Sequence, residues 1–151
     1  MSESFSQPDS VKLAEVISRL FVNCNEKENR HVAKYGVSIV EFRCLRTLYE
    51  HESLTVNHLA QKMSLTSSRV TRIVDGLVRK KLVNRDIGET DRRVYNLSLT
   101  GAGMDLSKKL IRDYQKIHEQ IMQNIPAEYQ KSMIQVLEQL NHAVQNWLSL
   151  E

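Results

Sequence analysis

Apolar residues recur along this chain at the spacing of amphipathic helices, three or four residues apart. This pattern predicts helices over residues 9–34, 38–51, 55–63, 66–81 and 100–123, and a last helix that starts near Pro126. Between the fourth and fifth helices, Tyr95, Leu97 and Leu99 alternate with polar residues, which is typical of a half-buried strand. Residues 83–86 can pair with that strand, so we expect a β-hairpin.

Four helix starts share one local signal, in which a hydroxyl residue that can cap the helix stands between two apolar residues. The four capping residues are Ser38, Thr55, Thr66 and Thr100. Ser38 is also followed three residues later by Glu41, which completes a capping box. These boundaries are therefore better determined than helix ends predicted from periodicity alone.

The outermost helices carry apolar stripes that the central part of the chain is too small to cover. The first stripe comprises Leu13, Val16, Ile17, Leu20, Phe21 and Cys24, and the last comprises Met133, Val136, Leu137, Leu140, Val144, Trp147 and Leu148. Such stripes favour packing against a second copy of the chain. The alternative is a monomer whose end helices fold back over its centre. In either case the sequence predicts a mainly α fold with a small β-hairpin.

The segment from Val56 to Leu82 predicts two helices separated by the short turn Met63-Ser64-Leu65. This is the arrangement of a helix-turn-helix, whose second helix can enter the major groove of DNA. One face of that helix is apolar, and the rest presents short hydroxyl residues and arginines. Its polar residues are Ser67, Ser68, Arg69, Thr71, Arg72, Asp75 and Arg79, and Thr66 caps it. Hydroxyl residues allow close approach to phosphates and base edges, and an arginine can contact guanine or a phosphate.

Positive charge is concentrated in the same region. Residues 64–93 hold eight of the 21 Lys and Arg residues and only four acids, whereas the net charge of the whole chain is +3. A basic element on a nearly neutral body indicates contact with phosphates. For Arg69 and Arg72 we favour DNA contact, whereas Lys80 and Lys81 fit a solvated helix end that suits the helix dipole.

The loop of the hairpin holds the triplet Asp91-Arg92-Arg93. Asp91 and Arg93 lie two residues apart and can pair on one side of the strand, which leaves Arg92 pointing outward. An outward arginine at a protruding tip suits a narrow minor groove with its strong negative potential. A salt-bridged loop with one solvated arginine is the alternative. A shift of one residue in the turn would also exchange Arg92 and Arg93.

Four motifs of this part of the chain resemble the winged helix-turn-helix of the MarR family of bacterial transcription regulators: "VTRIVDGL", "KKLV.R", "DRR" and "LSLTGAG". The order and length of the flanking helices also resemble that family. The resemblance implies an N-terminal dimerisation helix at 1–37, a winged helix-turn-helix DNA-binding domain at 38–100 and C-terminal dimerisation helices at 101–151.

The same resemblance implies what each part does. Ser67, Ser68, Arg69 and Arg72 would meet the major groove and its phosphates. Arg92 would lie at the tip of the wing, with Asp91 and Arg93 shaping the wing. A homodimer that binds a palindromic operator in double-stranded DNA is implied as well, together with repression and release by a small aromatic or anionic effector.

Other classes of function have less support. The sequence holds no nucleophile–base pair, phosphate-binding loop or zinc-peptidase motif, so we predict no enzyme, no cofactor and no metal site. Cys24 shares an apolar face with Leu20 and Phe21, which favours an inert buried thiol over an oxidant sensor. A winged-helix module that binds protein instead of DNA is the main alternative, but acidic or apolar residues would then replace the basic ones.

The expected location is the cytoplasm. The N-terminal residues lack the basic start and apolar run of a secretory signal, and no stretch approaches ~20 consecutive apolar residues. We therefore expect no membrane partner.

Overall fold

The computed structural model describes residues 8–87 and 95–150. Within these residues the helices are α1 (Asp9–Ala33), α2 (Ile39–Tyr49), α3 (Val56–Met63), α4 (Ser67–Arg79), α5 (Gly101–Gln123) and α6 (Ala127–Leu148). The strands are β1 (Leu54–Thr55), β2 (Val83–Ile87) and β3 (Tyr95–Leu99). All the predicted helices are confirmed, with ends that differ from the prediction by at most about two residues.

The predicted hydroxyl caps are present. The Ser38 Oγ accepts a hydrogen bond from the Glu41 backbone N–H at 3.3 Å, and the Glu41 carboxylate accepts one from the Ser38 N–H at 2.8 Å, which is a complete capping box. Thr55 and Thr66 cap α3 and α4 through their side-chain oxygens alone, which accept hydrogen bonds from the backbone N–H groups of His58 and Arg69. Thr100 Oγ1 accepts a hydrogen bond from the third residue of α5 at 2.9 Å. Local side-chain chemistry therefore determines where these helices start.

The sheet has one strand more than the predicted hairpin. Its order is β1-β3-β2, with both pairs antiparallel, and Arg85 lies opposite Leu97 in the β2–β3 register. The added strand β1 places Leu54 opposite Leu97, and both side chains are buried. The sequence did not reveal β1 because two residues are too few to show an alternating pattern.

The core lies between the sheet and helices α2, α3 and α4. Helix α2 packs against α3, α4 and β3. The side chains that are fully buried there come from every one of these elements: Cys44, Leu45, Leu59, Val70, Val74, Leu77 and Leu97. This core belongs to the first of two compact units, which ends at Ile111, and the second unit starts at Arg112 within α5.

The start of α5 is docked against the turn that follows α4. The Thr100 N–H donates to the Leu82 carbonyl oxygen at 3.1 Å, and the Thr100 hydroxyl donates to the Lys81 carbonyl oxygen at 2.8 Å. Gly103 is buried at the same place, and a Cβ on it would overlap the Leu82 carbonyl oxygen. Only a glycine permits this approach of α5 to the chain between α4 and β2.

Lys80 and Glu41 tie the C-terminal end of α4 to the start of α2. The Lys80 Nζ lies 2.8 Å from a Glu41 carboxylate oxygen and donates to the Gly36 carbonyl oxygen at 2.9 Å. Burial alone would raise the pKa of the Glu41 carboxyl, but the hydrogen bonds from Lys80 and Ser38 and the charge of Lys80 outweigh it. The pKa of Glu41 therefore lies below its ordinary value of 4.5. Lys80 is exposed, as expected of a solvated helix end, but its contacts with Glu41 and Gly36 were not predicted.

We predict that Gly103→Ala destabilises the chain by about 1–3 kcal/mol, because the added methyl group forces α5 away from Leu82. Gly101→Ala is the matched control, since a Cβ there has no atom within 4 Å. That variant should be as stable as the wild type or slightly more stable. Chemical denaturation of the three proteins measures the effect, and equal stability of both variants would contradict the proposed contact.

We also predict that the ion pair of Glu41 makes stability depend on pH. Because the folded pKa is lowered, the stabilisation is fully present above pH 4.5 and is lost as the pH falls through the folded pKa. Glu41→Gln should therefore lower the free energy of unfolding at neutral pH, and this difference should shrink in acid. The exposed Glu52, replaced by glutamine, should show no such pattern. Urea titrations at neutral and at acidic pH test this. A stability difference between Glu41→Gln and the wild type that does not change with pH would exclude the ion pair as its source.

Candidate nucleic-acid interface

Helices α3 and α4 form the predicted helix-turn-helix. Ser64 follows α3 in the left-handed conformation, with φ of 53° and ψ of 44°. The Ser64 N–H donates to the Gln61 carbonyl oxygen at 3.1 Å, and the Leu65 N–H donates to the Ala60 carbonyl oxygen at 3.0 Å. These bonds end α3 and turn the chain before Thr66 caps α4, so the two helices are joined by a tight turn.

Helix α4 has one buried side and one exposed side. Val70, Val74 and Leu77 are 0% exposed. Ser67, Ser68, Arg69 and Arg72 are exposed, as is Thr66, and Thr71 is half-buried. Val78 follows the same helical spacing as these residues but is 36% exposed. It lies near the end of the helix, beyond the packed core residues.

The hydroxyl groups at the start of α4 are engaged with one another and with α3. Ser67 Oγ donates to the Asn57 side-chain oxygen at 2.8 Å, and Thr71 Oγ1 donates to the Ser67 carbonyl oxygen at 2.8 Å. The Thr66 and Ser68 hydroxyl oxygens lie 3.2 Å apart. These contacts order the first turns of α4. Asn57 was missed by the sequence reasoning, since its contact depends on the angle between two helices and leaves no periodic signal.

The arginines of α4 are available to an external partner. Arg69 and Arg72 are exposed and form no ion pair with any residue in the described part of the chain. Arg79 and Lys81 share both properties. Lys80 and Arg85, by contrast, are held by acids within the fold. Among the basic residues from α4 to β2, Arg69, Arg72, Arg79 and Lys81 are therefore the ones available to an external partner.

Arg85 of β2 connects the sheet to α4. Its Nη1 lies 2.8 Å from a carboxylate oxygen of Asp75, and its guanidinium carbon lies 4.5 Å from the centre of the Tyr95 ring. The sequence places Asp75 on the polar side of α4 but did not predict that it pairs with Arg85. The predicted wing residues Asp91, Arg92 and Arg93 lie outside the described residues.

The two cysteines differ in their surroundings. Cys44 is fully buried in α2, and burial, with the nearby charge of Glu41, raises the pKa of its thiol to about 12. The thiol is therefore protonated at neutral pH and unreactive. Cys24 is partly exposed and not fully buried as expected, because its neighbours on α1 are themselves exposed.

Sequence comparisons agree with this architecture. The sequence model of the MarR family matches residues 37–95. The chain is 33% identical over 105 residues to the HTH-type transcriptional regulator MhqR of Bacillus subtilis (strain 168), and the match covers 70% of this chain and 72% of MhqR. It is 34% identical over 87 residues to the HTH-type transcriptional repressor MdtR of the same organism, covering 58% of this chain and 56% of MdtR.

Solved structures show the same fold. FabT of Streptococcus pneumoniae in complex with DNA superposes with a TM-score of 0.80 at 23% identity, covering 91% of this chain and 99% of FabT. MepR of S. aureus in a DNA complex superposes with a TM-score of 0.75 at 20% identity, covering 87% and 97%. With the sequence matches, these findings confirm the resemblance: the chain belongs to the MarR family of winged-helix, DNA-binding transcription regulators.

Proposed function

We propose that the chain acts as a homodimeric repressor that binds a palindromic operator in double-stranded DNA and is released by a small ligand. The observation that carries this proposal is the exposed arginine pair of α4, Arg69 and Arg72, on a helix whose opposite side is fully buried. A helix held in this way presents one defined surface to a groove, and that surface is basic.

In this proposal the start of α4 enters the major groove. Arg69 and Arg72 contact bases or phosphates, since each is exposed and has no acid partner among the described residues. The surrounding hydroxyl residues, Thr66, Ser67, Ser68 and Thr71, are short enough to allow close approach to the backbone. Their existing hydrogen bonds orient them before DNA arrives, which lowers the entropy lost on binding.

The loop between β2 and β3 contributes a second contact. On sequence grounds we assign Arg92 to the minor groove, and Asp91 and Arg93 to bracing the loop around it. Strand β2 ends just before this segment, and strand β3 begins just after it.

Exposed apolar side chains support the homodimer. On α1 these residues are Val11, Leu13, Val16, Ile17, Leu20, Phe21 and Val22, of which Phe21 is 73% exposed. Helix α6 has no buried residue, and Tyr129, Ile134, Val136, Leu137, Val144, Trp147 and Leu148 on it are exposed. Two long helices with this much apolar surface mark an interaction site. We assign residues 1–37 and 101–151 to dimerisation and residues 38–100 to DNA binding.

A two-fold symmetric dimer leads to a palindromic operator. Each copy presents one α4, and in helix-turn-helix dimers the two recognition helices meet half-sites about one helical turn apart. The effector is a small aromatic or anionic molecule, and the location is the cytoplasm. No helix within the described residues is long and apolar enough to cross a membrane. A protein-interaction module is less well supported, because α4 keeps exposed arginines where that function calls for acidic or apolar residues.

We predict that Arg69→Ala weakens operator binding by about 1–3 kcal/mol, the usual effect of removing a bidentate arginine from a base. Arg43→Ala is the control, because it removes the same charge from α2, where Arg43 pairs with Glu28. Binding is measured by fluorescence anisotropy, over a series of salt concentrations, on a duplex that the wild-type protein selects from genomic fragments. Equal affinity of the wild type and Arg69→Ala at every salt concentration would remove Arg69 from the interface.

We predict that Phe21→Glu dissociates the dimer, because the substitution places a carboxylate in an interface that would exclude water. Gln61→Glu introduces the same charge at an exposed position of α3 and should leave the dimer intact. Sedimentation velocity at several protein concentrations gives the oligomeric state. A wild type that sediments as a monomer would overturn the dimer, and a Phe21→Glu protein that remains a dimer would place the interface elsewhere.

A further inference from the structure

Arg85 is a charged residue on the inner side of a sheet. It lies opposite Leu97 in the β2–β3 register and two residues after Val83, and both of these side chains are buried. Alternation along a strand therefore directs Arg85 toward the helices. Strand β2 is at the edge of the described sheet. A charge that points inward from an edge strand needs a partner, and α4 supplies it as Asp75.

The guanidinium group is held from two elements at once. Asp75 of α4 binds Nη1 at 2.8 Å, and the ring of Tyr95 on β3 lies 4.5 Å from the guanidinium carbon, within the range of a cation–π contact. The Nε of Arg85 is buried and has no hydrogen-bond partner among the described residues. The planar group therefore spans α4, β2 and β3.

Stability alone is a weak reason for this arrangement. The side chains of Arg85 and Asp75 are 27% and 43% exposed, and ion pairs of that exposure contribute little to the free energy of folding. Leaving Nε without a partner has a cost. What the contact does determine is geometry, since it connects the middle of α4 to the strand pair that leads to residues 88–94.

We propose that Arg85, held by Asp75 and Tyr95, is a positioning residue that sets the strand pair β2–β3 relative to α4. This inference rests on the proposed function, in which α4 meets the major groove and the loop between β2 and β3 meets the minor groove. Both contacts can form on one operator only when α4 and the strand pair β2–β3 are held at a fixed position relative to each other. Arg85 thus contributes to operator affinity without touching DNA.

The direction in which Asp75→Asn changes the affinity for DNA distinguishes a positioning role from a purely electrostatic one. Asp75→Asn removes a negative charge close to the DNA-binding surface. If charge alone mattered, the variant would bind DNA more tightly. If Asp75 holds Arg85 in place, the variant binds its operator more weakly, by about tenfold, which is a usual size for the loss of coupled side chains. Binding to a random duplex should change much less, because it depends on phosphate contacts.

Asp86→Asn is the matched control. Asp86 lies next to Arg85 on β2, is exposed and has no ion pair with a described residue, so its replacement changes the net charge equally without disturbing the contact. A second pair of variants keeps all charges: Tyr95→Leu removes the ring and should weaken operator binding severalfold, whereas Tyr95→Phe keeps the ring and should not. This pair decides the question if Asp75→Asn fails to fold.

The experiment compares the dissociation constants of these proteins for the wild-type-selected duplex and for a random duplex, with melting temperatures measured alongside. Operator-specific weakening in Asp75→Asn and Tyr95→Leu, with neither control weakened, supports the proposal. Unchanged or tighter binding by Asp75→Asn overturns it, and so does equal weakening on both duplexes. A wild type that binds no duplex specifically refutes the proposed function itself, which is a different result.

Arg85→Met tests whether Arg85 itself contacts phosphate. A direct phosphate contact would reduce the slope of log affinity against log salt by about one when it is removed. A positioning role predicts weaker operator binding with the same slope. A reduced slope would therefore overturn the proposal.

Discussion

The burial of one side of α4 is the constraint on which the rest of the structure depends. Val70, Val74 and Leu77 are fully excluded from solvent against α2, α3 and the sheet. Rotating the helix would expose them, at a cost of about 1.5–3 kcal/mol for each fully buried side chain. The helix therefore has one rotational setting, and Arg69 and Arg72 face outward as a result. The packing of the apolar side of α4 therefore determines which polar side chains the helix exposes.

Polar contacts then hold α4 at three points along its length. Asn57 binds Ser67 at the start, Arg85 reaches Asp75 in the middle, and Lys80 ties the end to Glu41 and Gly36. Each contact is partly exposed and contributes little to stability by itself. Their common effect is to relate α4 to three different neighbours, namely α3, the sheet and the start of α2. A DNA-binding helix needs this definition of angle and position more than it needs additional stability.

The long helices α1 and α6, near the two ends of the chain, differ from α4 because their apolar side chains are exposed. Helix α6 buries none of its residues, and the apolar stripe of α1 is exposed along most of its length. In water, surface of this kind is costly unless something covers it. The proposed homodimer would explain the exposed apolar surface of both helices. Helices α2, α3 and α4 and the sheet, by contrast, share a buried core within the first compact unit.

Helix limits, caps and the sides of α4 were predictable from the sequence because they depend on residues close together in the chain. Ser38, Thr55, Thr66 and Thr100 each act within three residues of themselves, and the spacing of Val70, Val74 and Leu77 is a local property of the helix. The family could be recognised for the same reason, since its motifs are contiguous segments.

Only the tertiary structure decided which distant residues meet. The two-residue strand β1 exists because β3 lies beside it, and no pattern in Leu54–Thr55 announces it. Lys80 and Arg85 both belong to the basic segment 64–93, yet each is bound to an acid on another element. Such pairs depend on the angles between packed elements, which the burial of the whole core sets at once. The sequence alone thus determined which side of α4 faces solvent, whereas the three-dimensional packing decided which of the nearby charges remain available to DNA.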